Sequence, residues 1–265
     1  MYSFDYHQAT SLDDAAQKLA ADDEASLLAG GQTLIPTLKQ RLAMPTTLVD
    51  ISRIDALNFI RLEGDVLVIG AATCHATVAT SQTCHDALPA LASLANHIGD
   101  PAVRHRGTLG GSIANNDPSA DYPAAALALG ATIVTTQREI PADDFFTGLF
   151  ETALEPGEIL KEVRFPLPVR AAYSKFPNPA SRYAMVGVFI AQTSAGPKVG
   201  VTGAGQEGVF RWRELEDALA QNWSTDALKG LSLAGDTMIA DLHGDGDYRA
   251  HLVTVMAKRT LEAMG

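Results

Sequence analysis

The order of apolar and polar positions in the first fifty residues predicts helices that alternate with strands. Leu12, Ala15 and Leu19 recur at the spacing of one helix face. Ser11 precedes them and carries a hydroxyl suited to an N-cap, so a helix is predicted from Ser11 to Asp23. The apolar run ASLLAGG predicts a strand that two glycines end. The segments TLIPTLKQRLA and TTLVDIS predict a further helix and a further strand.

Residues 57–168 change to a mixture of hairpins and apolar helices. The segment LNFIRLEGDVLVIGAA predicts a hairpin that turns at Gly64. The segments ALPALASLANHIG and PAAALALG predict helices, and Gly130 ends the second one. ATIVTTQ and EILKEVRFPLP predict strands. The polar segment TLGGSIANNDPSADYP, residues 108–123, is predicted to be a loop because its glycines and prolines interrupt regular structure.

The last third of the chain predicts an antiparallel meander followed by helices. AAYSKFP, YAMVGVFIAQTSAG and PKVGVTGAG predict three neighbouring strands, and helical spacing returns at 211–222 and 247–263. Together with the first two segments, this order predicts an α+β fold. We predict three units, residues 1–55, 56–168 and 169–265.

Composition and charge narrow the function classes. The chain has 46% hydrophobic residues and a net charge of −11, which argues against nucleic acid as a partner. No apolar run is long enough to predict a membrane span, and the N-terminus lacks the basic and apolar parts of a signal peptide. A cytoplasmic protein is therefore expected. Its two cysteines, Cys74 and Cys84, are expected to be free thiols.

Two glycine pairs carry the first chemical signal. AGGQT at 29–33 and TLGGS at 108–112 each follow apolar sequence, and each is flanked by hydroxyl or amide side chains. Consecutive backbone N–H groups in such turns can form an anion-binding nest, and the first pair also leads into a helix N-terminus. Two nests could hold a pyrophosphate from both sides. The alternative is that both are ordinary turns.

Asp117 and Asp121 require a different role, because carboxylates repel phosphates. They suit the hydroxyls of a sugar or ribityl chain, or the N–H groups of a ring. Asp121 lies two residues before Pro123, which also makes it a candidate N-cap for the alanine-rich helix.

The glycine segments also carry a family resemblance. LLAGGQTLIP together with GDPAVRHRGTLGGSIANNDPSADYPAAALALGA resembles the flavoprotein, or medium, subunit of the molybdenum hydroxylases. The carbon monoxide dehydrogenase type is the nearest form, and xanthine dehydrogenase FAD-binding subunits are more distant. The resemblance covers essentially the whole chain, including ALEPGEILKEVRFPLP and AYSKFPNPASRYAMVGV. It implies a two-lobed FAD-binding domain of the vanillyl-alcohol-oxidase/PCMH type, with lobes 1–55 and 56–168 and a C-terminal flavoprotein domain at 169–265.

The resemblance also implies a set of FAD-binding residues. The pyrophosphate would lie against Ala29, Gly30, Gly31, Gln32, Thr33, Thr108, Leu109, Gly110, Gly111 and Ser112. The ribityl chain and ring would lie along Asn115, Asp117 and Asp121, and the isoalloxazine near Ile98, Leu160, Lys175 and Tyr183. Gln32 stands where many relatives have histidine, and Thr33 stands where they have serine. Taken alone, Lys175 would be a surface lysine and Tyr183 a packing residue.

The implied function is that of an oxidoreductase subunit. FAD would take electrons from a small iron–sulfur subunit and pass them to an external acceptor, while a large molybdopterin subunit carries out the substrate chemistry. A dimer of heterotrimers is expected, and no catalytic base or nucleophile on this chain is implied. The alternative is a flavoprotein-like binding or assembly module without redox activity.

Two further signals are assigned to ordinary structure. GAGQEG at 203–208 matches a dinucleotide fingerprint, but VFRW follows it as an extended segment where that fold needs a helix. It is therefore predicted to be a turn at the end of the meander. The seven histidines show no metal-ligand spacing, so no metal site is expected.

Overall fold

The computed structural model describes all residues, 1–265. Its N-terminal part is a small parallel sheet with the strand order β1-β3-β2. The elements are β1 (Asp5–Gln8), α1 (Leu12–Ala20), β2 (Ser26–Leu28), α2 (Leu34–Lys39) and β3 (Thr47–Asp50). The Ser11 hydroxyl accepts a hydrogen bond from the backbone N–H of Asp14, as the sequence predicted. Strand β1 was not predicted, because its residues are mostly polar and exposed.

The central part is an antiparallel sheet covered by short helices. Its strand order is β4-β5-β10-β6-β7, and a separate two-stranded hairpin joins β8 to β9. The strands are β4 (Ile60–Glu63), β5 (Val66–Gly70), β6 (Thr132–Thr135), β7 (Glu139–Pro141), β8 (Phe146–Gly148), β9 (Glu151–Thr152) and β10 (Leu160–Pro166). The helices are α3 (His75–Thr80), α4 (Gln82–Ala87), α5 (Pro89–Asn96), α6 (Pro101–Arg104), α7 (Leu109–Asn115), α8 (Tyr122–Leu129) and α9 (Ala142–Phe145).

The prediction that residues 108–123 form a single loop was wrong in its first half. Residues 109–115 form helix α7, and Thr108 is its N-cap. Tertiary packing explains the difference, since Leu109 and Ile113 are fully buried and hold the glycine-rich turn in helical form. Asn116 then takes a left-handed conformation, with φ of 43°, and ends the helix.

The C-terminal part is an antiparallel sheet packed against two helices. Its order is β11-β12-β13-β14, so the predicted three-stranded meander gains a two-residue fourth strand. The elements are β11 (Arg170–Pro177), β12 (Ala184–Thr193), β13 (Gly196–Thr202), β14 (Phe210–Arg211), α10 (Arg213–Gln221) and α11 (Gly246–Glu262). The GAGQEG segment is a turn, as predicted, and it leads into β14. Gly203 and Gly208 adopt positive φ in it.

Helix α8 lies between the central and C-terminal sheets. All eight of its residues are buried, which explains why its sequence shows no polar face. Its backbone approaches β13 so closely that a Cβ atom at Gly200 would lie 2.1 Å from the carbonyl oxygen of Ala124. Gly130 ends the helix at φ of 62°. None of the helices is both long enough and apolar enough to cross a membrane.

Candidate functional site

A cavity of about 660 Å³ lies at the junction of the three sheets. Its walls come from the segment after β2, the first turn of α7, the segments on either side of α6 and the loop before β12. A cavity of this volume is in the range that holds a small molecule or cofactor.

The first glycine segment presents a run of free backbone donors to this cavity. Residues 29–33 line it, and no backbone N–H from residue 29 to residue 34 donates a hydrogen bond within the protein. Gly31 adopts φ of 71°, which turns the chain and which other residues adopt only with strain. The hydroxyl of Thr33 forms no cap at the start of α2. The segment therefore has the free amides of the predicted anion nest.

The second glycine segment differs in this respect. Three successive amides at the start of α7 already donate within the protein: Leu109 to Thr73, Gly110 to Ala71, and Gly111 to the Thr108 hydroxyl. This segment contributes hydroxyl groups and a close backbone surface to the cavity, where the sequence had predicted a second nest.

The two glycine segments pack against each other. A Cβ atom at Gly30 would lie 2.1 Å from the carbonyl oxygen of Arg106, just before the second segment. A Cβ atom at Gly111 would lie 4.0 Å from the Cβ atom of Ala29 and 2.8 Å from the Thr108 hydroxyl. Gly111 does not have positive φ, so the space around it, and not its conformation, favours glycine there.

Most of the other predicted residues share this cavity. Ile98, Ser112, Asn115, Asp117, Asp121, Leu160 and Tyr183 all line it. Two predicted residues do not. Leu109 is fully buried in the central core, and Lys175 lies behind the cavity wall.

Lys175 takes part in a buried network centred on Asp121. Its ammonium group lies 3.0 Å from the Asp121 carboxylate and also donates to the carbonyl of His97. The Tyr173 hydroxyl donates to Oδ1 of the same carboxylate at 2.6 Å. Burial raises the pKa of Asp121, and both partners oppose that rise. Asp121 forms no side-chain cap on α8, so the capping alternative was wrong.

Two more carboxyl groups line the cavity. Burial raises the pKa of Asp117, although its carboxylate accepts a hydrogen bond from the backbone of Ser119. The carboxylate of Glu158 accepts hydrogen bonds from Arg138 and Thr135. Burial opposes ionisation of Glu158, but these hydrogen bonds lower its pKa to about 2.

Tyr183 lies at the cavity wall in the loop before β12, and 47% of it is exposed. Partial burial, together with the carboxylates of Asp117 and Asp121, raises the pKa of its hydroxyl. Arg182, the residue before Tyr183 in this loop, also lines the cavity. It adopts φ of 63° and is the one lysine or arginine in the lining.

Sequence reasoning missed His75 and Arg182. His75 belongs to no quoted segment, and Arg182 lies in AYSKFPNPASRYAMVGV without an assigned role. Only the close approach of α3 and the 178–183 loop to the glycine segments places them at the cavity. No cluster of His, Cys, Asp and Glu side chains could hold a metal ion.

Comparison with known proteins identifies the family. Residues 2–168 match the family described as the FAD binding domain in molybdopterin dehydrogenase. The chain is 35% identical to the carbon monoxide dehydrogenase medium chain of Hydrogenophaga pseudoflava, covering 98% of this chain and 96% of that one. It is 31% identical to the nicotine 6-hydroxylase medium subunit of Paenarthrobacter nicotinovorans, covering 98% of this chain and 96% of that one.

The fold comparison agrees. The chain superposes on the reconstituted carbon monoxide dehydrogenase of Oligotropha carboxidovorans with a TM-score of 0.92 and 34% identity, covering 99% of this chain and 98% of that one. The family match covers more than half of the chain, and the relatives are more than 30% identical over nearly its whole length. The chain therefore belongs to this family. The chain is an FAD-binding oxidoreductase component of the molybdenum hydroxylase family.

Proposed function

We propose that this chain is the electron-transfer subunit of a molybdenum hydroxylase, which receives electrons from an iron–sulfur subunit and passes them to an external acceptor. The relatives support this assignment. Their names describe enzymes for carbon monoxide and for nicotine, yet this chain resembles both over its whole length. A subunit that stays similar while the substrate changes suits the step common to these enzymes, which is the transfer of electrons.

The free amides of residues 29–34 are the observation that carries the proposal. The chain is acidic and its cavity has one arginine and no lysine, so a phosphate-bearing cofactor needs backbone donors. Gly31 provides the turn that leaves these donors free. The residues present therefore fit the pyrophosphate of FAD.

Each wall of the cavity has a role in this proposal. Residues 29–33 and the hydroxyls of Thr108 and Ser112 would hold the pyrophosphate. Asn115, Asp117 and Asp121 would lie along the ribityl chain and ring. Ile98, Leu160 and Tyr183 would border the isoalloxazine, and Lys175 would act from behind by fixing Asp121. FAD, when bound, supplies the redox chemistry, while the protein orients it and controls access to it.

The partners form part of the same proposal. An iron–sulfur cluster requires about four cysteine or histidine ligands, and no group of three or more His, Cys, Asp and Glu side chains comes together in this chain to hold a metal. The electron donor would therefore be a separate iron–sulfur subunit, and substrate oxidation would occur on a large molybdopterin subunit. We expect a dimer of these heterotrimers.

The visible absorption spectrum of the purified chain tests the proposal. Flavin bands that bleach when reduced iron–sulfur subunit is added, and that return with an added acceptor, are expected. A chain that takes up FAD but exchanges no electrons with that subunit would support the alternative, an assembly module without redox activity. A chain that never takes up FAD would refute the cofactor assignment itself.

A further inference from the structure

His75 lies at the junction of the two glycine segments. Its backbone N–H donates to the carbonyl of Gly107 at 2.9 Å, which fixes the first residue of α3 beside the second segment. Its side chain lines the cavity and packs on Tyr122, with ring centroids 5.4 Å apart. A Cβ atom at Gly107 would lie 2.7 Å from Nε2 of His75, so the glycine leaves room for the imidazole.

The two ring nitrogens of His75 differ in their surroundings. Nδ1 is sealed from solvent and has no hydrogen-bond partner, whereas Nε2 is not sealed. Only 5% of the residue is exposed. A buried N–H without an acceptor is more costly than a buried acceptor without a donor. The proton of a neutral imidazole therefore belongs on Nε2, which lies beside the cavity-lining residue Gly107.

The neutral form is the one that the surroundings favour. Burial and the nearby Arg104 lower the pKa of His75 to about 4. At neutral pH the side chain is consequently a single N–H donor and not a cation.

The Nε2–H of His75 lies beside the second glycine segment, in which only the amide of Thr108 donates to no acceptor within the protein. The amides of Leu109, Gly110 and Gly111 all donate to protein acceptors, so the second segment has no free nest. We propose that His75 donates a hydrogen bond from Nε2 to the phosphate groups of bound FAD, in place of the amides that α7 uses internally. This inference rests on FAD occupying the cavity.

Binding of FAD to the flavin-free full-length chain tests the role of His75. The titration follows flavin fluorescence for the unmodified chain and for His75→Phe, His75→Gln and His105→Phe. Phe keeps a ring against Tyr122 but removes the donor, and we expect the Kd for FAD to rise about tenfold or more, as for loss of a hydrogen bond to a charged group. Gln restores an N–H near the position of Nε2, so its Kd should be intermediate. His105, which is exposed directly after α6 and does not line the cavity, should show no change.

Two further probes separate a phosphate contact from a general packing effect. ADP carries the pyrophosphate and riboflavin does not, so His75→Phe should weaken ADP binding and leave riboflavin binding unchanged. Nitrogen NMR of the unmodified chain should show His75 protonated at Nε2, with a shift of that resonance when FAD is added.

These results distinguish the two proposals. An unmodified chain that does not bind FAD refutes the cofactor assignment. A chain that binds FAD, with an unchanged Kd in His75→Phe or with the proton on Nδ1, refutes only the role of His75. If His75→Phe does not fold, the NMR measurement on the unmodified chain decides.

Discussion

At the scale of single residues, glycine is required for different physical reasons at different positions of the cavity. Gly30 and Gly110 are required because neighbouring backbone lies within 2.8 Å of where a Cβ would be. Gly31 is required by its positive φ, which turns residues 29–34 so that their amides stay free. A substitution at each position therefore tests a different property.

Gly31→Ala should lower FAD binding much more than it lowers stability. Its φ of 71° and the approach of Ile35 to within 2.9 Å predict a cost of about 1–3 kcal/mol in the free energy of unfolding. Gly64→Ala is the matched control, because Gly64 has φ of 61° but lies in the β4–β5 turn with nothing within 4 Å. Urea unfolding and flavin content measure both variants. Equal flavin loss in the two would show that strain, and not the cavity, is responsible.

Tyr183→Ala should keep FAD bound but change its reduction potential. The tyrosine is 47% exposed at the cavity wall, so its removal should change the free energy of unfolding by less than about 1 kcal/mol. An aromatic ring beside the isoalloxazine would contribute roughly 0.5–1.5 kcal/mol of stacking, by analogy with aromatic pairs. Tyr248→Ala, 41% exposed on α11, is the control. An unchanged potential with a large fall in Tm would assign Tyr183 to packing instead.

His75 should make the flavin-free chain less stable in mild acid. Its folded pKa of about 4 lies below the ordinary value of 6.5, so the unfolded state takes up a proton that the folded state refuses. The contribution of neutral His75 to the free energy of unfolding is therefore fully present above pH 6.5. It is lost as the pH falls toward 4, by up to about 3 kcal/mol. His75→Phe should lose less stability over this window. Urea unfolding between pH 7 and pH 4 measures the difference, and parallel curves would contradict the assignment.

At the scale of elements, helix α8 connects the cavity to the C-terminal sheet. Asp121, just before α8, is held by Tyr173 and Lys175, which both lie on β11. Lys175 also holds the carbonyl of His97 next to Ile98, another cavity residue. One buried ion pair thus fixes two walls of the cavity relative to the last sheet.

Lys175→Met should destabilise the chain by about 3–5 kcal/mol at neutral pH, since it leaves a buried carboxylate without its cation. Asp121 would then hold its proton to higher pH, so the variant should lose stability as the pH rises. The double variant Asp121→Asn/Lys175→Met should recover part of the loss. Lys258→Met removes an exposed lysine on α11 and is the control. A single variant as stable as that control at pH 8 would show that the pair does not hold the fold together.

The sequence predicted those elements whose local pattern and tertiary packing agree. Helix α8 and its glycine stop, the β4–β5 hairpin and strands β11 to β13 all carry strong local signals. Helix α7 was missed because its glycine-rich turn becomes helical only when Leu109 and Ile113 are buried. Similarly, no local pattern shows that the α7 amides are already engaged, because their acceptors, Thr73 and Ala71, lie far away in sequence.

At the scale of the whole molecule, the cavity lies where three sheets meet. The segment after β2 contributes the free amides. The central part of the chain contributes helix α7 and Ile98, and the loop before β12 contributes Tyr183. The boundaries at residues 55 and 168 stay predictions that limited proteolysis can test. FAD bound in this cavity would touch all three parts and should therefore stabilise the chain as a whole.

The complete molecule should need other chains in order to work. Cys84 is buried and Cys74 is half-buried, and neither belongs to a group of side chains that could ligate an iron–sulfur cluster. The flavin-loaded chain alone should therefore not be reduced by the substrate of its complex.

Co-expression with neighbouring genes and affinity purification should recover a small iron–sulfur subunit and a large molybdopterin subunit. The native mass should correspond to two copies of each chain. Adding the substrate to that complex should then bleach the flavin bands. Gly31→Ala supplies the control, because a complex that assembles without flavin should reduce its iron–sulfur clusters and pass no electrons to the acceptor. Reduction of the isolated chain by the substrate, or purification without any partner, would contradict the proposed role.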